Sequence, residues 1–317
     1  MNTFGLSLLM RMGCVCARES VQVGSRRYFV KERLGEGGFS YVDLIEDRHN
    51  HKYYALKRIA CHSKEDERLS MVEVEIMKTF EQSNLCPCVE SAISPINDPL
   101  RSLISEVLIV MPYYRKGTLQ DEIEMMAKRL EHMREERILR LFRGICEGLK
   151  VMHSHNPPYA HRDIKPANVL IGDGDTPVIM DFGSAAKARV EIKGASEARR
   201  LQDIAAEKCT MPFRPPELFN VESYCVIDER VDIWSLGCTL YAMAFLESPF
   251  EQPFVRGDSV ALAVMAGKIP LPDNTIYSTD LVSLIKSMLN VDIKHRPYLE
   301  SVINQTENLI NMAENRI

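Results

Sequence analysis

The chain has 317 residues, 45% of them hydrophobic and 26% charged, which excludes a disordered or fibrous protein and allows one two-lobed unit or two small domains. Lys and Arg number 39 against 44 Asp and Glu, a net charge of −5 that gives no electrostatic ground for nucleic acid as a partner. Nine cysteines without repeated spacing fit a reducing compartment better than a disulfide framework, so the chain reads as intracellular.

Taken in chain order, residues 1–25 form an odd leader. Residues 4–10 imitate the core of a signal peptide, but nothing before them is basic and the small-residue cleavage site is poor. Short apolar and β-branched stretches at 28–34, 41–45 and 52–59, separated by turn signals, predict an antiparallel meander. Leu69, Val72, Ile76 and Phe80, spaced by three and four, predict a helix, and residues 107–111 predict a buried strand. The longest apolar runs are far shorter than the roughly 18 to 20 residues a membrane span requires.

After Met111 the period changes to that of helices. Ile138, Leu141, Phe142, Ile145, Leu149 and Met152 form one face, and Ile233, Leu236, Leu240 and Ala244 another. The expected fold class is therefore α+β: a β-rich small lobe with one helix over residues 26–111, and a mainly helical large lobe over 112–317. Pro112 interrupts the strand at the joint, and the cleft between lobes is the default ligand site.

Gly35-Glu36-Gly37-Gly38-Phe39-Ser40-Tyr41-Val42 lies between two predicted strands, so it reads as a hairpin rather than the strand-to-helix turn of a dinucleotide fold. Its glycines let backbone N–H groups approach phosphates, although a plain turn has the same composition. Ala55-Leu56-Lys57 leaves a lone Lys in an apolar strand. Asp173-Gly174-Asp175 is too short for a Ca²⁺ loop and reads as a hairpin turn. Cys86-Pro87-Cys88 has no matching His/Cys pair at metal-binding spacing and reads as free thiols.

The segment His161-Arg162-Asp163-Ile164-Lys165-Pro166-Ala167-Asn168, followed by Asp181-Phe182-Gly183, is far more specific. With the glycine hairpin, Lys57, Arg214-Pro215-Pro216-Glu217 and the 232–237 segment in the same order, the chain resembles a eukaryotic protein kinase over roughly residues 26–305. Residues 35–40, Cys209-Thr210 and the stretch 225–230 are similar to the Numb-associated kinases, nearest their small myristoylated and palmitoylated member.

The resemblance implies a bilobal kinase fold and an ATP-dependent enzyme that phosphorylates Ser/Thr hydroxyls of proteins and can autophosphorylate. The alternative is a kinase-shaped scaffold that binds partners without transferring phosphate. It implies that Gly35, Glu36, Gly37, Gly38, Phe39, Ser40 and Val42 cover the nucleotide, with Ala55, the gatekeeper Met111, and backbone groups of Pro112 and Tyr114 around the adenine. Lys57 would hold the α- and β-phosphates. Glu73 is the favoured anion to orient it, because Glu73 shares a helix face with Leu69, Ile76 and Met77 while Glu75 points about 200° away. Asp181 and Asn168 would supply oxygen to Mg²⁺, or Mn²⁺ in its place.

Asp163 would accept or orient the substrate hydroxyl, Lys165 would reach the transferring phosphate, and Thr210 would bond both. Glu217 and Arg296 would form a structural ion pair. Ser40 stands where the family has its third glycine, and Pro215 where it has Ala; neither removes a reacting group. Ser196 is expected to cap a helix carrying Leu201, Ile204 and Ala205, which would order the activation segment without phosphorylation. If the working chain starts at Met12, Gly13 would be exposed for myristoylation and Cys14 and Cys16 for palmitoylation, giving peripheral membrane contact, at the Golgi by resemblance; otherwise the protein is cytoplasmic.

Overall fold

The computed structural model describes residues 19–37, 40–98, 102–272 and 274–314. Six strands and one helix make the first lobe: β1 (Ser20–Val23), β2 (Arg26–Glu36), β3 (Ser40–Asp47), β4 (Tyr53–Cys61), α1 (Lys64–Thr79), β5 (Glu90–Asp98) and β6 (Leu103–Pro112). The strands form one sheet in the order β1-β2-β3-β4-β6-β5 with every neighbouring pair antiparallel. Alternation along the strands divides their side chains between two cores. Val23, Tyr28, Ile45, Leu56, Leu108 and Val110 close a small core on one face. Cys61, Val107, Ile109 and Met111 join α1 in a larger core that runs on into the second lobe.

Two parts of this sheet depart from the sequence expectation. Strand β1 lies inside the stretch assigned to the leader, where it pairs Ser20–Val23 with residues 26–29 of β2. Strand β5 was not expected at all, because Ser91, Ser94, Pro95 and Asn97 break the apolar pattern. It is an edge strand, where polar residues and a proline cost little.

Helix α1 starts in a capping box: Ser63 accepts from the Asp66 N–H, and Asp66 accepts from the Ser63 N–H. Its buried face is turned from the one the apolar spacing gives. Leu69 is 55% exposed and Val72 42%, whereas Glu67, Glu73, Val74, Ile76 and Met77 are buried. A hydrophobic stripe cannot locate this face, because two inward positions are glutamates with partners inside, Ser105 for Glu67 and Lys57 for Glu73.

The second lobe holds α2 (Leu119–Arg129), α3 (Glu135–His153), β7 (Tyr159–Ala160), β8 (Val169–Ile171), β9 (Pro177–Ile179), β10 (Ala186–Lys187), β11 (Val190–Ile192), α4 (Ala195–Lys208), α5 (Pro216–Phe219), β12 (Cys225–Ile227), α6 (Arg230–Phe245), α7 (Glu251–Arg256), α8 (Val260–Met265), α9 (Thr279–Met288) and α10 (Leu299–Glu314). All six apolar residues expected on one face of α3 are buried. Helix α6 is enclosed on every side, with Ile233, Trp234, Leu236 and Leu240 wholly buried, so it serves as the axis of this lobe. Among the described residues, no helix is long and apolar enough to cross a membrane.

Strands β8 and β9 pair as a hairpin, and residues 173–175 form its turn. Helix α4 lies in the activation segment and buries Ala198, Leu201 and Ala205; Ile204 is 37% exposed. Ser196 does not cap it. Gly194 is the cap residue, Ser196 is already helical and exposed, and the Glu197 carboxylate accepts the Lys193 N–H at 2.8 Å. That bond ties the chain before the cap to the first turn; no side chain caps the helix N–H groups.

Candidate active site

The site is built from strand ends, one helix and two short loops. Strands β2 and β3 pair Gly35 with Val42 and Glu36 with Tyr41, and the Gly37 N–H donates to the Ser40 C=O at 2.7 Å, closing the hairpin. Gly38 and Phe39 lie outside the described residues. Strand β4 pairs Lys57 with Val42 on one side and with Ile109 on the other, and Ala55 with Met111. Ala55 and Met111 therefore lie at one end of the paired strands β4 and β6, from which Pro112 to Tyr114 lead into the second lobe. The Tyr114 C=O accepts from the Gly117 N–H at 3.1 Å.

Lys57 Nζ donates to Glu73 Oε1 at 2.8 Å and Oε2 at 2.9 Å, and to Asp181 Oδ1 at 2.8 Å. Glu73 and not Glu75 reaches it. Burial opposes charge on Lys57, but the two carboxylates outweigh burial and raise its pKa above the ordinary lysine value. Burial pushes Glu73 upward despite Lys57 beside it. Asp181 is only half-buried, its side chain 45% exposed; desolvation would raise it, but Lys57 holds it below the usual carboxylate value.

Asp181 has a left-handed backbone, φ 64°, as does Arg162, φ 67°. Such conformations cost energy in residues with a side chain and persist only where surrounding contacts fix them. Asp232 supplies those contacts for Arg162. It is wholly buried on α6 and accepts the His161 and Arg162 N–H groups at 2.7 Å each, and His153 Nε2 at 2.9 Å. Phe182, buried, meets His161 edge-on at 5.4 Å between ring centres, holding the turn after Asp181.

Three donors fix Asp163. The Thr210 N–H reaches Oδ1 at 2.9 Å, and Lys165 Nζ and Asn168 Nδ2 reach Oδ2 at 2.8 and 2.9 Å. Lys165 also donates to the Thr210 hydroxyl. Asn168 spends its amide nitrogen on Asp163, with a further bond to the Asp163 C=O at 2.8 Å, which leaves its amide oxygen as an acceptor. That oxygen and the Asp181 carboxylate are hard donors of the kind Mg²⁺ takes, so the residues present fit the metal. Lys57, Glu73, Asp163, Lys165, Asp181 and Thr210, with Gly37 and Ser40 above them, line one open cleft of about 640 Å³.

Away from the cleft, Arg296 meets Glu217 through two bonds of 2.7 and 3.0 Å. Burial pushes the Cys86 thiol up to about 12 and the Cys209 thiol to about 11, so neither is a ready nucleophile. Two supports escaped the sequence reading. Asp232 was visible only as part of a motif, and the bond from the Ser184 hydroxyl to the Lys208 C=O, at 2.8 Å, carries no pattern in the sequence.

A sheet lobe set on a helical lobe, with a glycine hairpin, a buried Lys–Glu pair and two fixed aspartates at the joint, defines the protein kinase class. A model of the protein kinase domain matches residues 28–306, and the chain belongs to this family. Over 296 residues it is 43% identical to serine/threonine-protein kinase 16 of Rattus norvegicus and equally to that of Homo sapiens, covering 93% of this chain and 94% of theirs. It is also 30% identical to serine/threonine-protein kinase ENV7 of Saccharomyces cerevisiae, covering 93% of this chain and 96% of that one. The chain is thus a serine/threonine protein kinase, an enzyme class that uses ATP.

Proposed function

We propose that this kinase transfers the γ-phosphoryl group of Mg²⁺-ATP to Ser and Thr hydroxyls of proteins, with Asp163, Lys165, Lys57, Glu73, Asn168, Asp181 and Thr210 as its working residues. The observation that carries this reading is the convergence of Lys57, Asp163 and Asp181 in one cleft, with Lys57 bonded to Glu73 and Asp181, and Asp163 to Thr210. A scaffold would have no use for that arrangement. Mg²⁺ held by Asp181 and Asn168 would neutralise charge between the phosphates. Lys57, oriented by Glu73, holds the α- and β-phosphates; the backbone of residues 35–42 covers them; Ala55, Met111, Pro112 and Tyr114 enclose the adenine.

Asp163 receives the hydroxyl proton as the substrate oxygen bonds to the γ-phosphorus and the bond to ADP breaks. Lys165 offsets the charge that builds on the transferring group. Phosphate is transferred also to the kinase itself. Incubating the purified chain with Mg²⁺-ATP and a Ser/Thr/Tyr peptide library, with mass spectrometry of peptides and enzyme, tests this: phosphate on Ser and Thr supports it, and none on any peptide defeats it.

Within the family we assign the chain to the Numb-associated kinases, on the 35–40 hairpin, Cys209-Thr210 and the 225–230 stretch. We further propose that the working form begins at Met12, with Gly13 myristoylated and Cys14 and Cys16 palmitoylated, residues that lie outside the described ones. One myristoyl chain gives only marginal, reversible membrane binding, so the cysteine pair is what makes attachment stable. Acylated Gly13 in cellular protein, and release of the kinase to the cytosol by Gly13→Ala, would support the anchor. Protein that keeps unmodified residues 1–11 and stays soluble on fractionation would remove it.

A further inference from the structure

Helix α4 ends where its carbonyls need partners, since the last four of any helix lack them within it. Here the partners come from outside. Cys209 N–H returns to the Ala205 C=O at 3.0 Å, and one Arg214 nitrogen donates to the C=O of Ala206 at 3.3 Å and of Cys209 at 2.8 Å. The Lys208 C=O accepts from the Ser184 hydroxyl at 2.8 Å, and the Lys208 ammonium reaches back to the Gly183 C=O at 3.3 Å. Ser184 closes the single turn of 3₁₀ helix that follows Asp181. A reciprocal pair therefore fastens the turn bearing the metal carboxylate to the end of the activation helix.

Two residues further along the chain, Thr210 holds Asp163 and Lys165. The tripeptide 208–210 thus has a grip on both acidic centres: its first residue on the turn after Asp181, its third on Asp163. Asp181 needs such a grip because its left-handed backbone must be fixed by contacts on both sides. Lys57 and the burial of Phe182 act from within the cleft, and the Ser184–Lys208 pair acts from the activation segment.

We infer that Ser184 and Lys208 are positioning residues for phosphoryl transfer: the Ser184 bond to the Lys208 C=O and the Lys208 bond to the Gly183 C=O make residues 208–210 a spacer that sets Asp181 relative to Asp163. This inference rests on the kinase reading above. Ser184 lies outside the lining of the cleft; Lys208 lines it, but its ammonium is turned to the Gly183 C=O, and both act through the backbone of the turn. Packing of α4 would then fix the metal carboxylate without a phosphate on the segment.

The test uses the whole chain with Ser184→Ala, Ser184→Thr and Lys208→Met. Hydrogen exchange of residues 181–187 in the metal-free protein is followed beside the Mg²⁺ concentration for half-maximal ADP binding and kcat for a peptide. Ser184→Ala and Lys208→Met are each expected to speed exchange in that turn and to raise the Mg²⁺ midpoint, with kcat lower, all by about three- to tenfold, the weight of one hydrogen bond. Ser184→Thr, which keeps the hydroxyl, restores parental values. Unchanged exchange and Mg²⁺ dependence in Ser184→Ala, or losses that Ser184→Thr does not restore, overturn the inference. If Ser184→Ala does not fold, Lys208→Met decides by the same readouts. A parent chain that binds Mg²⁺-ADP but phosphorylates nothing would defeat the kinase reading while leaving the exchange result to judge the spacer.

Discussion

Lys57 Nζ stands 2.8 Å from Glu73 Oε1, and both side chains are buried, the lysine 12% and the glutamate 4% exposed. Removing one charge from such a pair leaves the other buried with less compensation. Glu73→Gln keeps size and one acceptor but no charge, so kcat/KM for ATP should fall about ten- to a hundredfold while the fold survives. The same change strips Lys57 of one of the two carboxylates that raise its pKa, and burial then pulls it down. The parent should show no alkaline loss due to Lys57 below about pH 10, and Glu73→Gln should bring such a limb to lower pH. Initial rates over a pH series check both; identical profiles would show that Glu73 does not set the charge on Lys57.

Asp163 is fixed by Thr210, Lys165 and Asn168, whereas Lys57, which is to hold the nucleotide phosphates, bonds Glu73 and Asp181 and not Asp163. Asp163→Ala is expected to retain nucleotide binding and lose at least about a hundredfold in turnover, the size of a general-base contribution. Asp181→Ala should weaken Mg²⁺-nucleotide binding as well. Calorimetry with ADP, with and without Mg²⁺, separates the two variants.

Activity should not require phosphate on the activation segment. Ser196 is exposed in the first turn of α4, where it makes no capping bond, while Ala198, Leu201 and Ala205 pack with Ile192, Leu218 and Ile227. Order in this segment comes from burial, not from a charge switch. Ser196→Ala, and the parent made in bacteria and phosphatase-treated, should both stay within about twofold of untreated enzyme, a surface substitution having little to remove. Collapse of either in a peptide assay would show that a phosphate is needed.

How much of this was legible in the sequence differs from place to place for physical reasons. The hairpin, Lys57 and the 161–168 and 181–183 segments could be read, because phosphoryl chemistry dictates residue types at fixed spacing. The face of α3 could be read because its partners are apolar all along. The face of α1 could be read only in part: Glu73, Ile76 and Met77 point inward as expected, but Leu69 and Val72 do not, since Glu67 takes an inward position that an apolar count sees as surface. Strand β5 was hidden because an edge strand needs no apolar alternation. The start of α4 was misplaced because Ser196 has the composition of a cap, whereas the folded backbone begins the helix at Ala195 after Gly194, with no side chain capping it.

The 173–175 turn gives a last prediction, about stability in acid. Asp175 has a left-handed backbone, φ 61°, and its carboxylate accepts from Arg137 Nε and Lys116 Nζ at 2.8 Å each. Arg137 also pairs with Glu122 on α2, so this turn ties the β8–β9 hairpin to two helices. The bonds from Arg137 and then Lys116 hold Asp175 at about 2, below its ordinary 3.8. A carboxyl with a depressed folded pKa stabilises above its unfolded pKa, and the gain disappears as pH falls through the folded value. The window therefore runs from about pH 4 down to about pH 2. Asp175 is 42% exposed, so water and salt screen the contribution to a fraction of what the shift alone suggests. Asp175→Asn should lower Tm at pH 7 by a few degrees or less, the span of a weak surface interaction. The parent should lose that margin between pH 4 and pH 2, where its melting curve converges on that of the variant. Arg137→Met should close the same window. Melting curves of all three proteins at low and high salt decide: a Tm gap between parent and Asp175→Asn that stays constant from pH 7 to pH 2 would mean that the charge on Asp175 contributes nothing.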